Sequence, residues 1–241
     1  LNENMSDFDT INQFLSRVMA AERKQQWMRL DNAAKIYPAA LRKKWSNVFR
    51  LSATLSEPVD RDVLRAALDV TLRRFPSIGV RLRKGIFWFY LERVPEVPEI
   101  TEEQSYPLVH MSYASIRECA FRVVVYKNRI AVELFHALTD GTGGMIFLKT
   151  LLAEYLSRKY GISVPNTDGV LCRMDEPSPE ELEDSFIKNA GTVSAGRKEA
   201  TAYRLTGTTE PDGFVHLTTF MLDAAEVKEK AHKHSATVTE F

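Results

Sequence analysis

Cysteine is scarce in this chain, whose 241 residues include only two, Cys119 and Cys172. Neither belongs to a Cys-x-x-Cys pair or to the Cys/His spacing of a zinc site. We therefore expect no disulfide framework and no metal site. The composition favours a reducing, cytoplasmic compartment.

Long apolar runs are missing as well. No stretch reaches the roughly 18 apolar residues that a membrane-spanning helix needs, and residues 1–5 lack the basic and apolar regions of a signal peptide. Neither sign of charge is in excess, because Lys plus Arg and Asp plus Glu each number 32. We expect no membrane span and no nucleic-acid partner.

The chain does contain enough apolar sequence for a core, since 44% of its residues are hydrophobic. Apolar alternation predicts strands over residues 48–55, 78–82, 86–91, 121–126, 130–135 and 214–222. Helical spacing predicts helices over residues 8–29, 60–75, 142–160 and 223–234, with a shorter amphipathic piece over 180–189 and an ordered loop over 27–38. Asp60 and Asp223 are predicted N-caps, and Gly161 a C-cap.

These elements predict three regions. Residues 1–165 form an N-terminal domain, residues 166–202 form a crossover or linker rich in Pro, Asp, Glu, Ser and Gly, and residues 203–241 form a strand and a helix. Residues 237–241 look like the start of another helix. We therefore expect the chain to be part of a longer protein, with a C-terminal half of the same polypeptide beyond it.

The most informative motif is His136-Ala-Leu-Thr-Asp140-Gly141, between the predicted strand 130–135 and the predicted helix 142–160. His136 continues the side of the strand that carries residues 130, 132 and 134, so its imidazole faces the apolar layer. Burial favours the neutral imidazole that a general base requires. Such a base can take a proton from an alcohol or amine as that group attacks a thioester, which contributes about 10²–10⁴-fold in rate.

The residues after the histidine allow more than one interpretation. Asp140 is either the N-cap of the following helix or an ion-pair partner that fixes the loop of His136, and both roles can coexist. Gly141 and Gly143 permit close approach of a ligand, so with Thr142 they are candidate substrate- or cofactor-binding residues. Helix capping explains Thr142 equally well.

At these residues the sequence resembles the superfamily of coenzyme A-dependent acyltransferases with the chloramphenicol acetyltransferase-like fold, whose motif is His-x-x-x-Asp, often followed by Gly. The resemblance is greatest to bacterial alcohol acetyltransferase-like proteins. It implies an α/β fold, a two-layer sandwich in which helices cover a mixed sheet. It also implies that His136 is the general base and that Asp140 is structural.

The resemblance further implies a coenzyme A thioester as co-substrate, with no tightly bound cofactor, and a small hydroxyl or amine acceptor. It implies as well that this chain holds the first half of a two-half active site, so that the isolated chain could be inactive. Peptide-synthetase condensation domains usually have a second histidine before the first, where this chain has Phe135. A non-catalytic or condensation-like binding module is the alternative function.

Basic residues, histidines and a cysteine outside the motif are further candidates for a functional role. The run Arg42-Lys43-Lys44 predicts a solvated surface patch, and contact with a coenzyme phosphate is its less favoured interpretation. His110 and His232 lack metal-like partners at sensible spacing and are interpreted as surface histidines. Cys119, near the start of a predicted strand, is interpreted as a core thiol.

Overall fold

The computed structural model describes residues 27–42, 45–184, 188, 201, 204, 206–208 and 217–241. The chain divides into two compact units, Leu1–Thr206 and Gly207–Phe241. The predicted helix over residues 8–29 lies outside the described residues except at residues 27–29, which form a strand instead. Of the piece predicted over 180–189, residues 180–184 and 188 are described: residues 180 and 181 end a 3₁₀ turn, and residues 182–184 are not helical.

The first unit contains seven strands and four α-helices in its described part. The strands are β1 (Trp27–Arg29), β2 (Val48–Thr54), β3 (Val80–Lys84), β4 (Phe89–Arg93), β5 (Ile100–Glu102), β6 (Phe121–Tyr126) and β7 (Arg129–Phe135). The helices are α1 (Ile36–Ala40), α2 (Arg61–Arg74), α3 (Tyr113–Glu118) and α4 (Gly141–Tyr160). A single 3₁₀ turn, Pro179–Glu181, follows them.

The strands form two sheets. One has the order β2-β7-β6-β5 and the other the order β1-β4-β3. All neighbours are antiparallel except β5 and β6, so the larger sheet is mixed. The predicted α/β class, in which helices cover a mixed sheet, is confirmed.

Helices α2 and α4 cover one face of the larger sheet. Asp60 caps α2 by accepting hydrogen bonds from the amides of Asp62 and Val63 at 3.0 and 3.1 Å, as predicted. The apolar face of each helix joins the side chains of β6 and β7 in the main core cluster. Gly161 ends α4 in the left-handed conformation (φ 65°), which confirms the predicted C-cap.

A network of charged side chains lies on the other face of the larger sheet. Glu133 of β7 is 1% exposed and accepts hydrogen bonds from Arg50 at 2.8 Å, from Arg122 at 2.6 Å and from the amide of Leu108 at 3.0 Å. Arg50 also forms an ion pair with Glu103 at 2.7 Å. This network satisfies a carboxylate that would otherwise be buried without partners.

A second core cluster lies under the smaller sheet, and it includes Leu82, Leu91, Ile116 and Phe135. Ala120 joins the two sheets through the backbone: its amide donates to the carbonyl of Val80 at 2.8 Å. Its own carbonyl accepts from the amide of Phe135 at 2.9 Å. The end of β7 is therefore held by both sheets.

Three further predictions differ from the structure. The strands predicted over 78–82 and 86–91 lie about two residues further along, because Gly85 donates to the carbonyl of Trp88 and the turn spans residues 85–88. Residues 27–38 are not a loop, since they contain β1 and the start of α1. Residues 217–222 of the strand predicted over 214–222 have no regular structure, and the remainder lies outside the described part.

The second unit contains one helix in its described part, α5 (Ala224–Lys233). Asp223 caps it by accepting from the amide of Glu226 at 2.9 Å, as predicted. The predicted start of another helix is a capped turn, in which Thr237 and Glu240 bond reciprocally through side chain and backbone. Within the described residues, no helix has the length and apolar character needed to span a membrane.

Candidate active site

The backbone of His136 is fixed on both sides. Its amide donates to the carbonyl of Asn47 at 2.9 Å, and the amide of Leu138 donates back to Phe135 at 2.9 Å. Phe135 is 0% exposed and Ala137 6%, so buried side chains flank the histidine. The strand-to-helix connection therefore has one well-defined path at this point.

The imidazole of His136 contacts two aromatic rings. It stacks on Tyr37 with 4.6 Å between ring centroids and 6° between planes. Phe49 approaches at 4.8 Å and 51°. Phe49 packs against the main core cluster, which agrees with the side of β7 predicted for the imidazole.

The ring nitrogens of His136 bond to no residue in the described part of the chain, and the side chain as a whole is half-buried. Polar atoms in protected positions normally have hydrogen-bond partners. Tyr37 stacks on one face of the ring and Phe49 contacts it at a tilt, so neither neighbour occupies the ring nitrogens within the described part of the chain. This arrangement suits a proton acceptor whose orientation is set before substrate arrives.

Asn47 organises the residues around the imidazole. Its backbone is left-handed (φ 50°), a conformation that asparagine tolerates better than most residues. Its side chain accepts from the indole N–H of Trp45 at 2.5 Å and donates to the carbonyl of Tyr37 at 3.3 Å. Asn47 thus connects α1, which carries Tyr37, with the amide of His136.

Asp140 is the N-cap of α4. Its carboxylate accepts from the amide of Gly143 at 2.8 Å, and its side chain is exposed. Within the described residues no cation pairs with it, so the ion-pair interpretation finds no partner there. The capping interpretation accounts for its position directly.

The three candidate binding residues form the first turn of α4. A Cβ on Gly143 would collide with the hydroxyl of Thr139, so any larger residue there requires the Thr139 side chain to move. A Cβ on Gly141 would meet no atom within 4 Å, and Thr142 is exposed. Of the two glycines, Gly141 is therefore the one whose surroundings leave space for a ligand.

The residues between His136 and Asp140 line a cavity of about 760 Å³ together with Trp88 and Leu91. His136 is not among the described residues of that lining. The predicted base therefore lies beside Tyr37 and Phe49. The loop that follows it, residues 137–139, lines a separate cavity.

The remaining candidates lie elsewhere. Cys119 packs beside the main core cluster, and burial raises the pKa of its thiol to about 11, as expected of an inert core thiol. His232 is exposed on α5 and His110 is half-buried before α3. The described residues contain no group of three or more His, Cys, Asp or Glu side chains that could hold a metal.

Tyr37, Asn47 and Phe49 are the site residues that sequence reasoning missed. A signal existed for Phe49, because it alternates with the polar positions of a predicted strand. Tyr37 and Asn47 lie in short segments whose partner, His136, is remote in sequence. Only the tertiary fold brings them together.

No protein-family model matches the chain, and no curated protein matches it. Solved structures are similar to part of it. The SgcC5 protein from Streptomyces globisporus is 16% identical with a TM-score of 0.47, over 58% of this chain and 39% of that one.

Polyketide synthase associated protein 5 from Mycobacterium tuberculosis is 16% identical with a TM-score of 0.43, over 58% and 35% of the two chains. The first condensation domain of the calcium-dependent antibiotic synthetase is 16% identical with a TM-score of 0.44, over 59% and 40%. The match thus spans 40% or less of each of these structures.

Proposed function

We propose that this chain supplies the general base of an acyltransferase, and that the base is His136. One observation carries the proposal. The ring of His136 packs against the rings of Tyr37 and Phe49, with 4.6 and 4.8 Å between centroids. Its nitrogen atoms bond to no described residue. The resemblance of the His136–Gly141 motif to coenzyme A-dependent acyltransferases supplies the reaction class.

In the proposed reaction, a ring nitrogen of His136 takes the proton from a hydroxyl or amine acceptor. The acceptor atom attacks the carbonyl carbon of a coenzyme A thioester, and the carbon–sulfur bond breaks as the tetrahedral intermediate collapses. The leaving thiolate takes the proton from the imidazolium. The products are an ester or amide and free coenzyme A, and His136 returns to its neutral form.

Asp140 has a positioning role in this proposal. It caps α4 through the amide of Gly143 and so fixes the end of the loop that begins at His136. No tightly bound cofactor is needed, because the thioester itself is the activated group. We likewise propose, as part of this function, a hydroxyl or amine acceptor, an acyl group carried on coenzyme A and a contribution to the site from a second half of the polypeptide.

The test uses the longest natural polypeptide that contains this chain. Released thiol is followed with a disulfide reagent while acetyl- and longer acyl-coenzyme A are offered with a panel of alcohols and amines, and acylated products are identified by mass spectrometry. His136→Ala should lower the rate by about 10²–10⁴-fold. His232→Ala, which removes an exposed histidine, is the matched control and should change nothing.

Circular dichroism and thermal unfolding establish that each variant is folded. Equal rates for wild type and His136→Ala would remove His136 from the reaction. If the wild type binds acyl-coenzyme A by calorimetry but transfers no acyl group to any acceptor, the chain is the binding module of the alternative.

A further inference from the structure

A cavity of about 580 Å³ lies between α1, the β3–β4 turn and the segment before α3. Three basic or titratable side chains from these separate elements line it: Arg42, Lys84 and His110. No described residue of its lining is a carboxylate. None of the three forms an ion pair with a described residue.

Other cavities of the first unit differ in this respect. The cavity of about 760 Å³ has Asp31, Glu181, Glu183 and Asp184 in its lining beside Arg29 and Lys35. A third cavity, of about 680 Å³, is lined by three arginines and by Asp69, Glu92 and Glu96. Carboxylates line those two cavities beside the cations, whereas the described lining of the 580 Å³ cavity contains none.

The backbone beneath these side chains is well held. Arg42 and Trp45 exchange two backbone hydrogen bonds of 3.1 Å each. Lys84 is the last residue of β3, directly opposite Phe89 of β4. His110 precedes Met111, which is 3% exposed and belongs to the second core cluster.

The rest of the lining is apolar or aromatic, including Phe89, Met111 and Tyr113. Arg42 and Lys84 are exposed residues that line one concave site, and their permanent positive charges attract an entering anion. Arginine and lysine also supply charge-assisted hydrogen bonds to phosphate oxygens. The aromatic rings offer a surface for a planar group.

We infer that this cavity binds a small molecule that carries a phosphate ester at one end and an apolar or aromatic group at the other. The site is distinct from the imidazole of His136, which is not among the described residues that line this cavity. The inference does not depend on acyl transfer.

Calorimetry on the full chain tests the inference with adenosine diphosphate, inorganic pyrophosphate and adenosine as probes. Adenosine diphosphate should bind more tightly than pyrophosphate, and adenosine at least about tenfold more weakly than the diphosphate, because charge-assisted hydrogen bonds are lost. The double variant Arg42→Gln with Lys84→Gln should weaken diphosphate binding by about tenfold or more.

The matched control is Arg65→Gln with Lys228→Gln, which removes the same net charge at exposed positions outside the cavity. It should bind the diphosphate as the wild type does, and so should His136→Ala, even if His136 proves to have no part in acyl transfer. Equal affinity of the cavity variant and the wild type, or an equal loss in both double variants, would overturn the inference. So would a wild type that fails to bind the diphosphate.

Discussion

The imidazole of His136 and the phenol ring of Tyr37 lie parallel, 4.6 Å apart between centroids. His136 follows β7 and Tyr37 lies in α1, so the stack joins segments that are remote in sequence. Such a pair contributes about 0.5–1.5 kcal/mol beyond the apolar area that it buries. The orientation of the proposed base therefore depends on a short helix outside its own sheet.

Tyr37→Leu removes the ring and keeps apolar bulk. We expect the ring protons of His136 to move downfield in the NMR spectrum, because ring-current shielding is lost, and acyl transfer to fall about tenfold, the upper end of the stacking energy. Tyr37→Phe keeps the ring and should preserve both properties. Unchanged His136 shifts in the leucine variant would show that the two rings do not stack in solution.

Two substitutions of Asp140 distinguish a helix-capping role from an ion-pair role. Asp140→Ala should lower the free energy of unfolding by about 1 kcal/mol, because α4 loses its cap, whereas Asp140→Asn keeps an acceptor oxygen and should cost only about a few tenths. Urea denaturation measures both. An ion-pair role requires the opposite pattern, in which asparagine is as damaging as alanine because both lack the charge.

A side chain at Gly144 would be crowded by three apolar neighbours. A Cβ there would lie 3.0 Å from Leu51 and Leu134 and 3.1 Å from Phe49, the second aromatic neighbour of His136. Gly144→Ala should therefore destabilise the protein by about 1–3 kcal/mol through overpacking, as measured by urea denaturation.

Gly141→Ala is the matched control for Gly144→Ala, since nothing lies within 4 Å of its Cβ position. It should leave stability unchanged or raise it by up to about 1 kcal/mol. The same variant tests the predicted ligand role of Gly141. If activity falls while stability does not, a ligand approaches the backbone there; equal activity removes Gly141 from the binding site.

The lowered pKa of Glu103 predicts that the stability of the protein depends on pH. Burial alone would raise the pKa of its carboxyl, but the hydrogen bonds and charges of Arg50 and Arg129 together outweigh burial and hold the pKa below its ordinary value. A lowered pKa in the folded state stabilises the protein above the unfolded pKa, near 4.5, and this stabilisation is lost as the pH falls through the folded value.

Glu103→Gln should therefore cost about 2 kcal/mol at pH 7, and its difference from the wild type should shrink as the pH falls from about 4.5 towards 3. Glu102→Gln, at the neighbouring residue that ends β5 and has a side chain 67% exposed, should cost less than about 0.5 kcal/mol. A constant difference between Glu103→Gln and the wild type at every pH would contradict the prediction.

Local chemistry explains which elements were predictable from the sequence. Asp60, Asp223 and Gly161 act within one turn of their own helices, and the structure confirms all three caps. The periodicity of residues 121–126 and 130–135 also found the central hairpin. These signals need no knowledge of the tertiary fold.

The position of a strand was predicted wrongly where apolar residues are exposed. Ile86 and Phe87 are 90% and 85% exposed, yet their hydrophobicity moved the predicted strand into the turn. Strand β1 is only three residues long and pairs with β4, which lies far along the chain. The motif located His136, but the contacts of Tyr37 and Phe49 with its ring depend on long-range packing that no local pattern encodes.

Strand β7, which leads to His136, is hydrogen-bonded along both edges. Its partners are β2 from Val48 to Thr54 and β6 from Phe121 to Tyr126. To separate β7 from the sheet, both ladders must open together, so its amide hydrogens should exchange with solvent only through large-scale unfolding. The histidine thus follows a strand whose opening requires two ladders to break, so local fraying of a sheet edge does not release it.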